Sequence, residues 1–181
     1  MVRRLFGTSQ RVLLTGRPGC GKTTLIKRIL NGLPQCFGGF YTEEIRDQGT
    51  RVGFKVVALG GGEAVFAHVD FKTPERLGKY ALDLSALEAV GVDAIRKAVQ
   101  GERLIVIDEI GPMEIRSAHF REAVFDALDS ELPVLATIFL RSLPFTDAIK
   151  SRPDVVLIEV TPNNRDRLVS QLSEKFRNLN G

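Results

Sequence analysis

The sequence has no tryptophan, only two cysteines and no long run of uncharged apolar residues. Cys20 and Cys36 do not form a C-x-x-C pair, and the chain has only two histidines to complete a zinc site. The longest uncharged apolar runs, such as 104–107, have about a fifth of the length that spans a membrane. We therefore expect neither a structural zinc nor a membrane-spanning segment.

We also expect no export signal in the first residues. Arg3 and Arg4 are followed by the polar segment 7–11, so we expect the protein to stay in the cytoplasm with reduced thiols. The charge is nearly balanced, with 25 Lys and Arg against 22 Asp and Glu. A net charge of +3 is too small to indicate a nucleic-acid partner by itself, although it leaves nucleic acid and other anionic ligands open.

The chain does have the composition of one ordinary globular domain, which we expect to span residues 1–181. Apolar runs on either side of a Gly-rich turn predict a strand at 10–15 and a helix at 23–33. Three β-rich runs separated by turn signals follow the helix. They predict an antiparallel meander inserted at about 38–70.

The second half of the chain alternates between helices and strands. Ser85 and Glu88 have the spacing of a capping box, which predicts a helix from 85 to 101 that Gly91 kinks or splits. Further elements are predicted as strands at 104–108, 134–138 and 155–160, a helix at 117–128 and a last helix beginning near Thr161 and Pro162. Strands that are nearly all apolar indicate a parallel sheet covered on both faces.

The Gly-rich turn matches the phosphate-binding motif G-x-x-x-x-G-K-[ST] at every fixed position and lies between a predicted strand and a predicted helix. In this motif, backbone N–H groups surround a phosphate and the helix dipole points at it. Lys22 is expected to reach the β- and γ-phosphates, and Thr23 to offer its hydroxyl to Mg²⁺. The expected nucleotide-binding residues of this segment are Gly16, Arg17, Pro18, Gly19, Cys20, Gly21, Lys22, Thr23 and Thr24.

A carboxylate pair, Asp108 and Glu109, ends the apolar strand at 104–108. Because parallel strands end at one edge of the sheet, Asp108 is expected near Thr23, where it would hold Mg²⁺. Glu109 is then placed to orient or deprotonate an attacking water, which favours hydrolysis. The alternative is that the pair only ends a strand at a solvated turn.

Three further sites are candidates for contacts to the nucleotide. Thr137 near the end of a strand could bond to the γ-phosphate or the attacking water, or simply fill a strand position. Arg141 and Arg17 could stabilise charge on the transferring phosphoryl group, with an ordinary surface position as the alternative. Asn163 follows the last strand, where the base is commonly contacted. The lysine of a guanine-reading N-K-x-D motif is replaced by Asn164, so strict guanine selectivity is not expected.

Several segments together resemble the small nucleoside-triphosphatase family first described from thermophiles, whose human member is a cancer-related nucleoside-triphosphatase. The resemblance runs from about 12 to 168, and its most specific parts are G-G-F-Y-T-E-E-I-R at 38–46 and I-D-E-I-G-x-M-E at 107–114. It implies slow Mg²⁺-dependent hydrolysis of ATP, GTP and other nucleoside triphosphates, on a fold similar to nucleotide kinases. It also suggests that Phe40 and Tyr41 pack near the nucleotide, although a buried hairpin core explains them equally well. At Pro112 the resemblance leads us to expect a basic residue instead of proline.

The expected fold is therefore α/β: a P-loop three-layer sandwich with a mostly parallel five-stranded core sheet and an inserted antiparallel meander. The expected activity is hydrolysis of nucleoside triphosphates with broad base tolerance, slow at roughly 10⁻⁴ to 10⁻² per second because no strong arginine finger is evident. Lys22, Asp108, Glu109 and Arg141 are the expected catalytic residues, and Thr23 and Asp108 the metal ligands. The alternatives are a kinase of a small molecule or nucleic-acid end, and a binding module switched by the nucleotide. The oligomeric state is left open.

Overall fold

The computed structural model describes residues 10–34, 37–101 and 104–178, so that Arg3, Arg4 and Cys36 lie outside the described residues. Within these ranges the strands form one nine-stranded mixed sheet of order β5-β6-β4-β3-β2-β7-β8-β1-β9. In chain order the elements are β1 (Arg11–Thr15), α1 (Lys22–Leu30), β2 (Gly38–Asp47), β3 (Thr50–Ala58), β4 (Glu63–His68), β5 (Arg76–Leu77), β6 (Tyr80–Leu82), α2 (Leu84–Leu87), a π-helical turn (Glu88–Val92), α3 (Asp93–Gly101), β7 (Ile105–Ile110), a 3₁₀ turn (Glu114–Arg116), α4 (Ala118–Asp129), β8 (Val134–Ile138), α5 (Pro144–Lys150), β9 (Val155–Glu159) and α6 (Arg165–Asn178).

The sheet joins a parallel part to an antiparallel part through one shared strand. β2 pairs in parallel with β7, and the parallel pairing continues through β8 and β1 to β9. On its other side β2 pairs antiparallel with β3, which pairs antiparallel with β4. The predicted meander is thus continuous with the parallel strands. β5 and β6, of two and three residues, extend it further and were too short to give a sequence signal.

Helices cover both faces of the parallel strands. Successive residues of β1 show this, because Leu13 belongs to one buried cluster and Val12 and Leu14 to another. The cluster around Leu13 includes residues of α3 and α4, and the cluster around Val12 includes residues of α1 and α6. A strand buried on both faces has apolar side chains at every position, which explains the unbroken apolar runs of the sequence.

The predicted capping box is wrong, because the helix begins one residue before Ser85. Asp83 is the N-cap, and its Oδ1 accepts a hydrogen bond from the backbone N–H of Ala86 at 3.0 Å. The Ser85 hydroxyl donates to the same oxygen at 2.6 Å. Glu88 instead accepts a hydrogen bond from the Ser117 hydroxyl at 2.6 Å, which links this helix to the start of α4. An Asp side chain reaches the N–H groups of the first turn as well as Ser does, so the capping residue was misassigned.

The expected interruption at Gly91 is confirmed, since the helix is π-helical from Glu88 to Val92. A Cβ on Gly91 would lie 3.2 Å from side-chain atoms of both Leu87 and Val56. The glycine therefore lets the helix lie close against β3.

The predicted start of the last helix is also wrong. α6 begins at Arg165, three residues after Pro162, because the Asn164 side chain builds a turn first. Its Oδ1 accepts from the backbone N–H of Thr161 at 2.9 Å, and its Nδ2 donates to the backbone carbonyl of Glu159 at 2.8 Å. The short helix α5, seven residues long with Pro144 in its first turn, was not predicted. No helix in the part of the chain that the structure describes is long and apolar enough to cross a bilayer.

Gly39 is required where β2 runs beside β7. Its φ is +104°, and a Cβ there would lie 2.0 Å from the backbone carbonyl oxygen of Val106. We expect Gly39→Ala to lower the free energy of unfolding by about 3 kcal/mol, because the clash is with backbone and φ is unfavourable for alanine. Urea unfolding measures the change. Gly60→Ala is the matched control, because a Cβ on Gly60 meets nothing within 4 Å. Equal unfolding midpoints for the two variants would contradict the assignment.

Candidate functional site

The loop between β1 and α1 is built around glycines and leaves the start of α1 open. Gly21 is the N-cap of α1 with φ of 93°, a left-handed conformation that favours glycine. Among the described residues, no side chain caps this helix end. The N–H groups of the first turn are therefore available to an anion, and the helix dipole favours one there.

Lys22 lies inside this loop rather than in solvent. Its side chain is largely buried, with 9% exposed, and its Nζ donates a hydrogen bond to the backbone carbonyl of Gly16 at 3.2 Å. The ammonium group is thus held at the loop by the loop's own backbone. Burial raises the pKa of both Asp108 and Glu109, and the nearby Lys22 charge opposes that rise. The structure therefore brings the loop lysine and the acidic pair together, although they are far apart in sequence.

Asp108 is 1% exposed near the carboxyl end of β7. Burial raises the pKa of Asp108, while the hydroxyls of Thr137 and Thr23, and then the Lys22 charge, lower it. Thr137, which is fully buried on β8, donates from Oγ1 to Asp108 Oδ1 at 2.5 Å. Thr137 thus orients the carboxylate, a role that the sequence did not indicate.

The other oxygen of this carboxylate, Oδ2, is buried and has no hydrogen-bond partner within the described ranges. Mg²⁺ prefers oxygen ligands, keeps several of its waters and binds proteins through few side chains. A carboxylate with one unsatisfied oxygen, whose pKa the Thr23 hydroxyl lowers, fits such an ion. Residues 10–34, 37–101 and 104–178 contain no group of three or more His, Cys, Asp and Glu side chains arranged as a metal site.

Glu109 lies next to Asp108 at a break in the strand pairing. The ladder between β7 and β8 shifts register between Ile107 and Ile110. Burial raises the pKa of Glu109, the Lys22 charge lowers it, and the neighbouring Asp108 raises it again. A half-buried carboxylate with a raised pKa is a stronger base than an exposed one, which suits it to accept a proton from water.

Glu114 belongs to this site although it was not among the expected site residues. It begins the 3₁₀ turn after β7 and is only 6% exposed. Burial first, and then the charge of Glu109, raise the pKa of Glu114 to about 8, while the backbone N–H groups of Glu114 and Gly111 oppose the shift. A Cβ on Gly111 would lie 2.8 Å from Glu114 Oε2 and 3.5 Å from Glu109 Cγ, so the two carboxyl groups flank the same glycine. The segment I-D-E-I-G-x-M-E, which contains Glu114, was the available signal.

Phe40 and Tyr41 have different surroundings. Phe40 packs in the core, with its ring 6.1 Å from that of Phe120. Tyr41 pairs with Asp108 across β2 and β7, and the Lys27 ammonium lies 4.1 Å from the centre of its ring. Phe40 thus belongs to the core, and Tyr41 lies beside the acidic pair at the carboxyl end of β7.

Several expected site residues are exposed, including three that belong to the phosphate-binding loop itself. Cys20 is partly buried, with its Sγ 3.0 Å from where a Cβ on Gly16 would lie. No hydrogen bond or ion pair of the described residues joins the side chain of Arg141 to Asp108 or Glu109. The expected site residues that are exposed are Arg17, Pro18, Gly19, Thr24, Arg141 and Asn163.

Comparison with known proteins gives consistent results. The model of a family described as NTPase matches residues 11–173 of this chain. A nucleoside-triphosphatase THEP1 from Thermotoga sp. (strain RQ2) is 49% identical over 162 residues, which cover 90% of this chain and 92% of the relative. A nucleoside-triphosphatase THEP1 from Thermofilum pendens is 46% identical over 94% of this chain and 97% of its own length.

Two solved structures have the same overall fold. The crystal structure of THEP1 from Aquifex aeolicus matches with a TM-score of 0.81 and 36% identity, covering 90% of this chain and 96% of that one. The solution structure of a human cancer-related nucleoside triphosphatase matches with a TM-score of 0.76 and 36% identity, covering 93% of this chain and 97% of that one.

Proposed function

Because this chain belongs to the NTPase family and is a nucleoside-triphosphatase, we propose that it hydrolyses ATP, GTP and other nucleoside triphosphates with Mg²⁺ as its cofactor. One observation carries the proposal. β1 and β7 both pair in parallel with β8, so the Gly-rich loop that holds Lys22 and the Asp108–Glu109 pair lie at the same edge of the sheet. In this proposal the five parallel strands form the core sheet, and the antiparallel strands are an insertion within a single domain.

The loop binds the phosphates, and the acidic pair serves the metal ion and the attacking water. The N–H groups at the start of α1 and the Lys22 ammonium bind the β- and γ-phosphates. The Thr23 hydroxyl and the Asp108 carboxylate would hold Mg²⁺, and Thr137 keeps Asp108 in place through its hydrogen bond. When bound, Mg²⁺ neutralises charge on the phosphates and fixes their orientation.

Glu109 is the base in this scheme. A water molecule attacks the γ-phosphorus in line as its proton passes to the Glu109 carboxylate, and the bond between the γ-phosphorus and the bridging oxygen breaks. The diphosphate leaves with the electron pair of that bond. The protein forms no covalent intermediate, so catalysis depends on positioning and electrostatics.

Broad base tolerance is supported by the turn after β9. Asn163 is exposed, and both polar atoms of the Asn164 side chain are occupied by the turn itself. Neither residue is placed in a buried pocket that would distinguish one base from another. We infer that the phosphates provide most of the binding energy for every nucleotide.

Phosphate release from ATP in water, with no added acceptor, tests this function. We expect slow, continuous release at roughly 10⁻⁴ to 10⁻² per second, lost on addition of EDTA and lost in Lys22→Ala. GTP, CTP and UTP should be hydrolysed within about tenfold of the ATP rate, since a strongly base-reading site would discriminate by far more. Release that persists in excess EDTA would contradict the role of Mg²⁺. Release that requires an added acceptor would identify a kinase instead.

A further inference from the structure

Arg165, the first residue of α6, lies against the phosphate-binding loop. Its Nη1 is 2.8 Å, and its Cδ 3.1 Å, from where a Cβ on Gly21 would lie. The topology explains this proximity, because β9 pairs in parallel with β1 and both strands end at the same edge of the sheet. The backbone N–H of Val160 extends this pairing by donating to the carbonyl of Thr15 at 2.7 Å. The chain after β9 therefore meets the loop after β1.

The guanidinium of Arg165 lacks the partners that a structural arginine normally has. Its Nε is buried and has no hydrogen-bond partner within the described ranges. None of the ion pairs found there includes Arg165. The adjacent carboxylate of Asp166 is bonded to Arg28 at 2.5 Å, although the charge of Arg165 also contributes to lowering the pKa of Asp166. A buried N–H without a partner is unfavourable, so an anion at this place would stabilise the arrangement.

The position of Arg165 beside Gly21 indicates which anion would bind there. Gly21 is the N-cap of α1, and Lys22 follows it directly, so the glycine lies at the end of the helix that is open to phosphate. Guanidinium groups bind phosphate through two parallel hydrogen bonds, which makes arginine well suited to a polyphosphate. Arg17 and Arg141, the arginines considered from sequence, are both exposed.

We propose that Arg165 binds the phosphate chain of the nucleotide, as a second cationic side chain beside Lys22. The inference rests on the proposed function, in that the loop must bind a nucleoside triphosphate. The contact exists as soon as the nucleotide binds, so it lowers the dissociation constant and KM and has little effect on kcat. A guanidinium is also able to stack on a base, and a probe without a base separates these two contacts.

Titration calorimetry on the full chain tests the proposal with two probes in the presence of Mg²⁺: a non-hydrolysable ATP analogue and inorganic tripolyphosphate. Arg165→Met keeps the apolar stem and removes the charge, and we expect it to weaken both probes by about 10- to 100-fold. Arg165→Lys keeps the charge but loses the paired hydrogen bonds, so its affinities should lie between those of Arg165→Met and the wild type. Arg167→Ala is the matched control, because Arg167 is an exposed arginine of the same helix. Its affinities should be those of the wild type.

The outcomes distinguish this inference from the proposed function. Wild-type affinity for both probes in Arg165→Met and Arg165→Lys overturns the inference and leaves the proposed function intact. Weaker binding of the ATP analogue with unchanged binding of tripolyphosphate overturns the assignment to phosphate, because the contact is then to the base or ribose. A fall in kcat with unchanged KM also overturns it. Failure of the wild type to bind either probe overturns both proposals. Unfolding midpoints of the variants show whether a loss of binding reflects a loss of fold.

Discussion

Glu109→Gln is expected to slow phosphate release by about 10²- to 10⁴-fold while leaving nucleotide affinity nearly unchanged. Glutamine has the size of glutamate but cannot accept the proton of the attacking water. The Lys22 ammonium and the loop N–H groups, which bind the phosphates, are not altered by the substitution. Single-turnover phosphate release measures the rate, and calorimetry with a non-hydrolysable ATP analogue measures the affinity.

Glu131→Gln is the matched control for this experiment, because Glu131 is an exposed glutamate that belongs to no part of the site. Its rate of release should equal that of the wild type. If Glu109→Gln releases phosphate at the wild-type rate, Glu109 is not the base. If it loses nucleotide affinity and rate together, the residue acts mainly in binding.

The rate should also depend on pH in a defined direction. Glu109 must be ionised to accept a proton, and burial raises its pKa above the usual value of 4.5. The rate of the wild type should therefore fall as the pH is lowered through this raised pKa, and rise to a plateau above it. Glu109→Gln should show a smaller acidic limb in its residual activity, because Asp108, whose pKa burial also raises, still has to be ionised.

Glu114→Gln is expected to stabilise the nucleotide-free protein at high pH and to have little effect at low pH. The pKa of Glu114 is about 8 in the folded protein, against 4.5 as its ordinary value. Between these two pH values the folded state binds more protons at Glu114 than the unfolded state does. Raising the pH therefore lowers the free energy of unfolding of the wild type through this group. Glutamine is neutral throughout and removes the effect. At pH 8.5 the variant should be more stable by roughly 3–5 kcal/mol, with the difference fading toward pH 4.5.

Urea unfolding of both proteins at pH 5 and pH 8.5 measures this change. The informative quantity is the difference between variant and wild type at each pH, because other buried carboxyl groups affect both proteins alike. Glu131→Gln again serves as the control and should show no difference at either pH. If Glu114→Gln and the wild type differ by the same amount at both pH values, Glu114 is ionised in the folded protein and the argument from burial is wrong.

The local pattern of the sequence was sufficient to predict the main helices and strands and to recognise the two motifs. The strand at 134–138 was predicted with the bounds that the structure has. The Gly-rich loop and the acidic pair at the end of β7 were recognised from residue type and spacing alone. Such features depend on residues close in sequence, whose side chains and backbone conformations follow local rules.

The starts of two helices were predicted wrongly, because at each place two residues can fill the same local role. Asp83 and Ser85 can both cap the helix that follows them, and Thr161 and Asn164 can both end the turn after β9. The hydrogen bonds that decide between them depend on the backbone geometry at each place, which residue spacing does not specify. β5 and β6 are too short to have a period at all.

The sequence by itself determined that this chain has a phosphate-binding loop, a carboxylate pair after a buried strand, and the alternation of strands and helices that places both at one edge of a sheet. Only the tertiary structure decided which partners these residues have. Thr137 bonds to Asp108, Glu114 is buried beside Glu109, and Arg165 lies on Gly21. These contacts join residues on different strands, turns and helices, and burial and proximity between such elements arise only when the sheet is assembled.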